Sequence, residues 1–336
     1  MERRARAFWV RSPGAGEIRS VRLPEPGPDD VLVRTLYSGV SRGTEALVFR
    51  GGVPAGQYDL MRAPFQDGSF PGPVKYGYLN VGVVEHGPAD LRGRPVFCLY
   101  PHQTRYVVPA HAVTPVPDGV PPERAVLAGT VETAVNALWD AAPLVGDRIA
   151  VVGGGMVGCC VAGVLAGLPG ARVELVDVDP GRAAVAEALG VGFATPERAA
   201  GDCDLVVHAS ATAAGLARSL ELLAREGEVI ELSWYGDRPV SVPLGESFHS
   251  RRLSIRGSQV GAVAPSRRGR RGFADRLELA LRLLANPAFD VLITGESPFE
   301  ELPRVLPPLA SGDLPALCHR VVYEYEEDVL VQRHRS

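Results

Sequence analysis

The pattern of hydrophobic and polar positions changes period partway along the chain. Residues 1–117 carry short alternating runs, among them VLVRTLY, VGVVEH, RPVFCLY and RYVVPA, separated by stretches such as PEPGPDD, HGPADLRG and PVPDGVPP. Alternation of period two, broken by Gly and Pro, predicts strands, and their number predicts a small barrel-like β domain. From about residue 118 the period lengthens. PPERAVLAGTVETAVNALWDAA reads as helix, and the apolar runs IAVVG, VELVD, DLVVHAS, EVIELSW and LSIRGS then alternate with helical segments. That alternation predicts a parallel, doubly wound sheet and an α/β fold class. After Gly261 come a helix at ADRLELALRLLA, another at SPFEELPRVLPPLASG, and a final strand, HRVVYEY, able to return to the first domain. The expected division is 1–117, 118–262, and 263–336 as the returning piece.

One stretch carries most of the chemistry. IAVVGGGMVGCCVAGVLAGLPGA (149–171) is followed by RVELVDVDP, so an apolar run meets Gly153-x-Gly155-x-x-Gly158, then a small-residue helix, then a second run ending at Asp177. The first Gly allows a tight turn, the second lets a pyrophosphate approach the backbone, and the third lets helix and strand pack closely. The helix start, at Met156 and Val157, offers free N–H groups and partial positive charge to phosphates. The motif with its strand, helix and acid predicts a dinucleotide site. An acid at Asp177 accepts bonds from ribose hydroxyls and repels a 2′-phosphate, and Val178 and Asp179 bring no cation, so NAD(H) is favoured while NADP(H) stays open. Arg182, the next cation, either faces solvent in the first helical turn or covers the adenine or a phosphate. Ser210 closes DLVVHAS, at the strand end where open α/β sheets bind ligands. Trp234, Tyr235 and Gly236 end the next run and are candidates for the wall of a nicotinamide pocket. His208, flanked by apolar residues, reads as a satisfied core histidine.

Composition narrows the alternatives. Residues 149–171 hold no charge, a length that could span a membrane, but their clustered glycines and Pro169 argue against it. Hydrophobic content of 46%, charged content of 22% and a net charge of −4 describe a globular protein that does not hold nucleic acid by bulk charge. The run SRRGRRGFADR (266–276) is short and reads as a solvated turn. Five scattered cysteines show no CxxC pair, which fits a reducing cytoplasm, and MERRARAFWVRSPG has no apolar core of a secretory signal. Lys75 is the only lysine among 35 basic residues, which sets it apart as a candidate.

The layout resembles the medium-chain dehydrogenase/reductase superfamily, the zinc-type alcohol dehydrogenases and their zinc-free relatives. The resemblance runs through SGVSRGTE (38–45), PGPVKYGYLNVGVVE (71–85), LAGTVETAVNAL (127–138), GDRIAVVGGGMVG (146–158), VELVDVDPGR (173–182), DLVVHAS (204–210) and LSIRGSQVG (253–261). The SGxSxGTE form is most similar to the zinc-free branch that contains bacteriochlorophyllide dehydrogenase. The resemblance implies a GroES-like β-barrel-type catalytic domain beside a Rossmann domain, a cofactor held in the cleft between them, and a homodimer joined by sheet edges around RPVSVPLGESF. It also locates what is missing. The ligand cysteine of zinc members falls at Ser41 (or Arg42), the Gly-His-Glu motif reads Gly77-Tyr78-Leu79, and the third ligand falls at Gly129. These residues cannot make three protein ligands for zinc, and the four-cysteine structural lobe is reduced to Cys98. No zinc of either kind is expected.

By the same resemblance, Arg42 reaches the cofactor pyrophosphate and Thr133 lies beside the nicotinamide. A zinc-free enzyme still needs a proton partner. Tyr78, at the vacated ligand position, is the first candidate, His102 the second, and Lys75 a helper that lowers the phenol's pKa. Thr44, Glu45 and Tyr100 are candidates for substrate contact. The expected activity is zinc-independent, NAD(P)(H)-dependent oxidation or reduction of an alcohol/carbonyl pair, in specialised metabolism, on a small-molecule substrate. Reduction of an activated C=C bond, or nucleotide binding without redox turnover, are the alternatives.

Overall fold

In a computed structural model, which describes residues 3–245 and 247–325, the strand-rich N-terminal stretch folds together with a piece from the far end of the chain. Met1–Gly129 and Ile293–Ser336 form one unit, and Thr130–Leu292 form the other. The first is organised by the long strand Asp30–Ser41. It pairs antiparallel with Asn80–His86, Arg105–Pro109 and Cys318–Val322. Its alternate residues Val31 and Val33 pack with Val84, Val96, Tyr106 and Val108, so the period of two in the sequence becomes one buried face. Ile293–Pro298 runs parallel to Cys318–Val322, which brings Cys318 opposite Ser41. A second, four-stranded sheet orders Ala15–Arg22, Arg4–Ser12, Val74–Lys75 and Asp67–Gly68.

The unit boundaries differ from the expected 117/118 and 262/263. The short helix Pro122–Ala125 packs on strands of the first unit, so the change comes at residue 129. The helix Phe273–Leu283 stays with the second unit because Arg276 ties it there. This guanidinium is fully buried, pairs with Glu132 at 3.0 Å, and donates to Asn136 Oδ1 and the Val260 carbonyl, each at 2.6 Å. The arginine run is therefore solvated only in part: 266–271 are exposed, but its last member lies in the core. The returning piece begins at Ile293, and the end of the expected 263–336 segment, 326–336, lies outside the described residues.

The second unit is a six-stranded parallel sheet: β1 (Arg148–Val152), β2 (Arg172–Val176), β3 (Gly192–Ala194), β4 (Cys203–His208), β5 (Leu223–Glu231) and β6 (Ser254–Gly257). Their order is β3-β2-β1-β4-β5-β6. The direction of winding reverses between β1 and β4, which opens a crevice at the carboxyl ends of these two strands. Val152, Val176, Val206 and Val229 are buried between the sheet and its helices. Its two edges are β3 and β6. The expected edge segment RPVSVPLGESF (238–248) makes no strand among its described residues, and its Pro239 and Pro243 lack the N–H groups a ladder needs. Glu246 lies outside the described residues. Among them no helix is long and apolar enough to cross a membrane; the uncharged stretch resolves into β1, a turn and the helix Met156–Leu165.

Candidate functional site

The glycine turn after β1 leaves no room for side chains where the motif requires none. Gly153 has φ of 111°, and a Cβ there would lie 2.6 Å from the Ser210 nitrogen. A Cβ on Gly158 would lie 1.9 Å from the Gly153 carbonyl oxygen, so the helix crosses the turn at backbone contact. Gly155, by contrast, faces open space and starts the helix Met156–Leu165 without a side chain to cap it. A helix start with no side-chain cap and open space at Gly155 fits a pyrophosphate. Met156 is buried under the turn and touched by Thr130, and Val157 is half-buried.

Asp177, one residue past β2, closes this cradle. Its Oδ2 accepts the Gly154 N–H at 2.6 Å and its Oδ1 accepts the Asp179 N–H at 2.8 Å. The carboxylate is thus fixed against the turn with lone pairs left for ribose hydroxyls. Arg182 does not extend into water. Its stem lies over Gly154, 3.0 Å from the place of a Cβ, and its guanidinium is 3.5 Å from Asp179. An acid and a base therefore stand together where an adenosine ribose would bind. Cys159, one turn into the helix, is buried, and burial pushes its thiol up to about 12, so it packs rather than reacts.

Ser210 follows β4 at the crevice and meets the Gly153 backbone directly. Its hydroxyl lies 2.7 Å from His208 Nε2, and Glu231 sits on the other ring nitrogen. Trp234 is half-buried three residues beyond the end of β5, next to Tyr235, and Thr133 is half-buried on the helix Ala128–Ala141.

In the first unit, the positions at which the resemblance places zinc ligands hold other groups. The side chains of Ser41 and Thr44 act on the Tyr78 hydroxyl and favour its ionisation, against the stronger opposing effect of burial, and the ring meets Tyr76 edge-on at 6.0 Å. A Cβ on Gly129 would be 2.7 Å from Leu79 Cδ2, so a leucine methyl fills the space before the third position. This donor set, two neutral hydroxyls and an alkyl group, does not fit a zinc ion. Among the described residues, no three or more His, Cys, Asp or Glu are grouped to hold a metal.

Lys75 does not serve Tyr78. Its ammonium is 2.6 Å from Asp67 Oδ2, 3.0 Å from Gln103 Oε1 and 3.4 Å from the Tyr100 hydroxyl. Tyr100 in turn stacks on Tyr106 at 3.9 Å. The Tyr78 pKa moves opposite to the expected direction: burial first, then the charge of Glu45, push it up to about 12. The phenol is therefore a proton holder and not a base.

His102, on a loop, is buried, with 1% of its surface exposed. Its Nε2 is 2.8 Å from Glu45 Oε2, and its Nδ1 is 2.7 Å from Ser38 Oγ, which lies 2.9 Å from the Tyr323 hydroxyl. Glu45 Oε1 accepts the Ser41 N–H at 2.8 Å. Glu45 is thus the link between the histidine and the Ser41–Tyr78 group. Arg42 is exposed, and its guanidinium donates to the Ala316 carbonyl at 3.5 Å. Sequence reasoning missed Ser38, Asp67, Gln103 and Tyr323. Only Ser38 carried a signal, as part of SGVSRGTE.

No family model matches the chain, and no curated protein matches it in sequence. Solved structures do match in shape. A Sinorhizobium meliloti protein named as a zinc-binding dehydrogenase and bound to NADP superposes with a TM-score of 0.75 at 19% identity, over 96% of this chain and 100% of its own. L-Idonate 5-dehydrogenase of Escherichia coli K-12 gives 0.77 at 17%, over 96% and 99%. An alcohol dehydrogenase of Escherichia coli CFT073, complexed with NADH and named as short-chain, gives 0.74 at 16%, over 96% and 99%. The chain has the fold of these dehydrogenases, a GroES-like part and a Rossmann part, as the medium-chain resemblance implied.

Proposed function

We propose that this chain is a nicotinamide-dependent oxidoreductase of an alcohol/carbonyl pair that works without zinc. The observation that carries the reading is the Gly153–Gly158 turn, built at backbone contact around an open cradle and closed by Asp177. Gly153, Gly155, the Met156–Gly158 N–H groups and Asp177 would hold the dinucleotide. NAD(H) is favoured because Asp177 takes ribose hydroxyls, while Arg182 beside it leaves NADP(H) open. When bound, the cofactor supplies hydride transfer. Tyr78 supplies the proton to the developing oxyanion, Ser41 and Thr44 orient its hydroxyl, and Glu45 and His102 hold the charge behind that group. Because the phenol keeps its proton far above neutral pH, delivery in the reductive direction suits it best. That direction also supports a second reading, reduction of an activated C=C bond. The fold neighbours bound to NADP or NADH, and those named as L-idonate 5-dehydrogenase and alcohol dehydrogenase, support the class. The five cysteines are all buried and none of them forms a disulfide, which supports a reducing, cytoplasmic setting.

Calorimetric titration should show binding of NADH in preference to NADPH, followed by a nicotinamide absorbance change with one member of an aldehyde, ketone and enone panel. Tighter NADPH binding would overturn the Asp177 argument. Dinucleotide binding without turnover on any substrate would leave a binder, and no binding at all would end the reading. Elemental analysis of the purified protein should give far less than one zinc per chain. One zinc per chain, retained after mild chelation, would contradict zinc independence.

A further inference from the structure

A row of buried side chains leads from Glu45 to the returning piece of the chain and ends at Tyr323. This residue directly follows the strand Cys318–Val322. Its N–H donates to the Leu36 carbonyl at 3.1 Å, and its ring stacks on Phe299 at 4.8 Å. Two residues on, the Tyr325 hydroxyl donates to the Thr35 and Thr104 carbonyls at 2.9 and 2.6 Å, so the chain is pinned on both sides of Tyr323. The Tyr323 hydroxyl is buried and bonds one side chain among the described residues, Ser38, at 2.9 Å. A phenylalanine would keep the stack on Phe299 without burying a hydroxyl. Ser38 Oγ is 2.7 Å from His102 Nδ1, and His102 Nε2 is 2.8 Å from Glu45 Oε2. The imidazole is held in this row: Phe8 meets it edge-on at 6.4 Å, and a Cβ on Gly77 would lie 3.0 Å from its Cδ2.

The row has a direction. Burial holds the Tyr323 phenol well above its ordinary pKa, so it keeps its proton and donates to Ser38 Oγ. Ser38 turns its own proton to His102 Nδ1. A ring nitrogen that accepts there leaves the ring proton on Nε2. Nε2–H then donates to Glu45 Oε2, while the Ser41 N–H donates to Oε1, so each oxygen of the carboxylate holds a donor. The reverse order fails at its far end. Were His102 to donate from Nδ1 to Ser38, either the serine proton or the phenol proton would be left without an acceptor in a buried place.

We propose that Tyr323 is a positioning residue for proton delivery by Tyr78: through Ser38 it fixes His102 in the tautomer that donates to Glu45. Glu45 held in this way anchors the Ser41 backbone, and the Ser41 side chain acts on the Tyr78 hydroxyl. Tyr323 and Ser38 touch neither the cofactor cradle nor Tyr78. They act only through His102 and Glu45.

The inference rests on the reading of Tyr78 as the proton donor, and two measurements keep them apart. The tautomer is read from the ring nitrogens by NMR of the full chain carrying isotope-labelled histidine. The histidine whose signals move in both Tyr323→Phe and Ser38→Ala is His102, since His208 and His319 bond other side chains. In the intact protein it should carry its proton on Nε2. Tyr323→Phe should shift the tautomer ratio toward Nδ1–H about threefold to tenfold. A proton on Nδ1 in the intact protein, or histidine signals that neither variant moves, overturns the inference. Turnover is then followed with NADH and the active member of the aldehyde, ketone and enone panel. Tyr323→Phe should lower kcat about threefold to tenfold with the KM for NADH unchanged. Added to Tyr78→Phe, it should cost nothing further. A lower melting temperature with unchanged kcat would make Tyr323 a packing residue and overturn the proposal. Near-normal turnover in Tyr78→Phe alone would overturn the proton-delivery reading and with it this role, while an Nε2 proton would leave the His102 tautomer standing.

Discussion

Tyr78 shows how far a single residue can be read. The resemblance set it at a zinc-ligand position through GYL, and the structure places it near Ser41, Thr44 and Tyr76. The helper assigned to it was wrong. Three residues on a strand and loop define no common face, and Lys75 turns to Asp67, Tyr100 and Gln103 instead. Tyr78→Phe removes one hydroxyl and almost no volume. If the phenol delivers the proton, turnover should fall about 10²–10⁴-fold with NADH affinity unchanged. With its pKa near 12, Tyr78 should add no alkaline inflection to the reductive rate between about pH 6 and 10. Near-normal turnover in the variant would move the proton step to another group. The partnerships of His102 with Glu45 and of His208 with Glu231 were not legible. Each joins residues far apart in sequence through strand register or loop placement, which no local pattern encodes. The second pair did leave a trace, a polar residue in each of two otherwise apolar runs.

At the scale of elements, the strands and helices that repeat a strong period were legible, and the joints between them were not. The runs IAVVG, VELVD, DLVVHAS, EVIELSW and LSIRGS became β1, β2, β4, β5 and β6; β1 and β4 are apolar and buried along most of their length, as covered parallel strands must be, while β6 at the edge is mostly exposed. Where the tail leaves the second unit was hidden, since it depends on one buried ion pair. Arg276 sits in an arginine run that looks solvated, yet it bonds Glu132 on the helix Ala128–Ala141 and the loop carbonyl of Val260. Burial dominates Glu132, raising its pKa despite the guanidinium, so the carboxylate depends on Arg276 to remain charged. Arg276→Ala would strand that carboxylate in the core and should cost about 3–5 kcal/mol of stability. Urea unfolding, followed with and without NADH, would measure it. A loss under about 1 kcal/mol would mean that water reaches Glu132 and that the pair does not hold the helix Phe273–Leu283 in place.

The whole molecule joins two modules of different period, and that much was plain from the change of pattern near residue 118. Its assembly was not. The resemblance implies a homodimer through sheet edges, and we propose one, but the segment first expected to supply the edge is interrupted by Pro239 and Pro243. The edge falls instead at β6, Ser254–Gly257, which pairs on one side only, with β5. A strand with one unpaired row of N–H and C=O groups invites another strand, and a two-fold axis would let β6 meet its own copy. The strand has features that favour such an orderly contact over open-ended growth. It is four residues long, and Arg256 is held by Glu228 within the same sheet rather than projecting free. Light scattering at micromolar concentration should therefore give about twice the chain mass of 35.7 kDa. Replacing Ile255, the half-buried residue of that edge, with Lys should shift the population toward the monomer without changing NADH affinity, because β6 lies two strands from the crevice. A mass equal to the single chain at every concentration would remove β6 as an interface and leave its short length and charged partner as the means by which the sheet avoids aggregation.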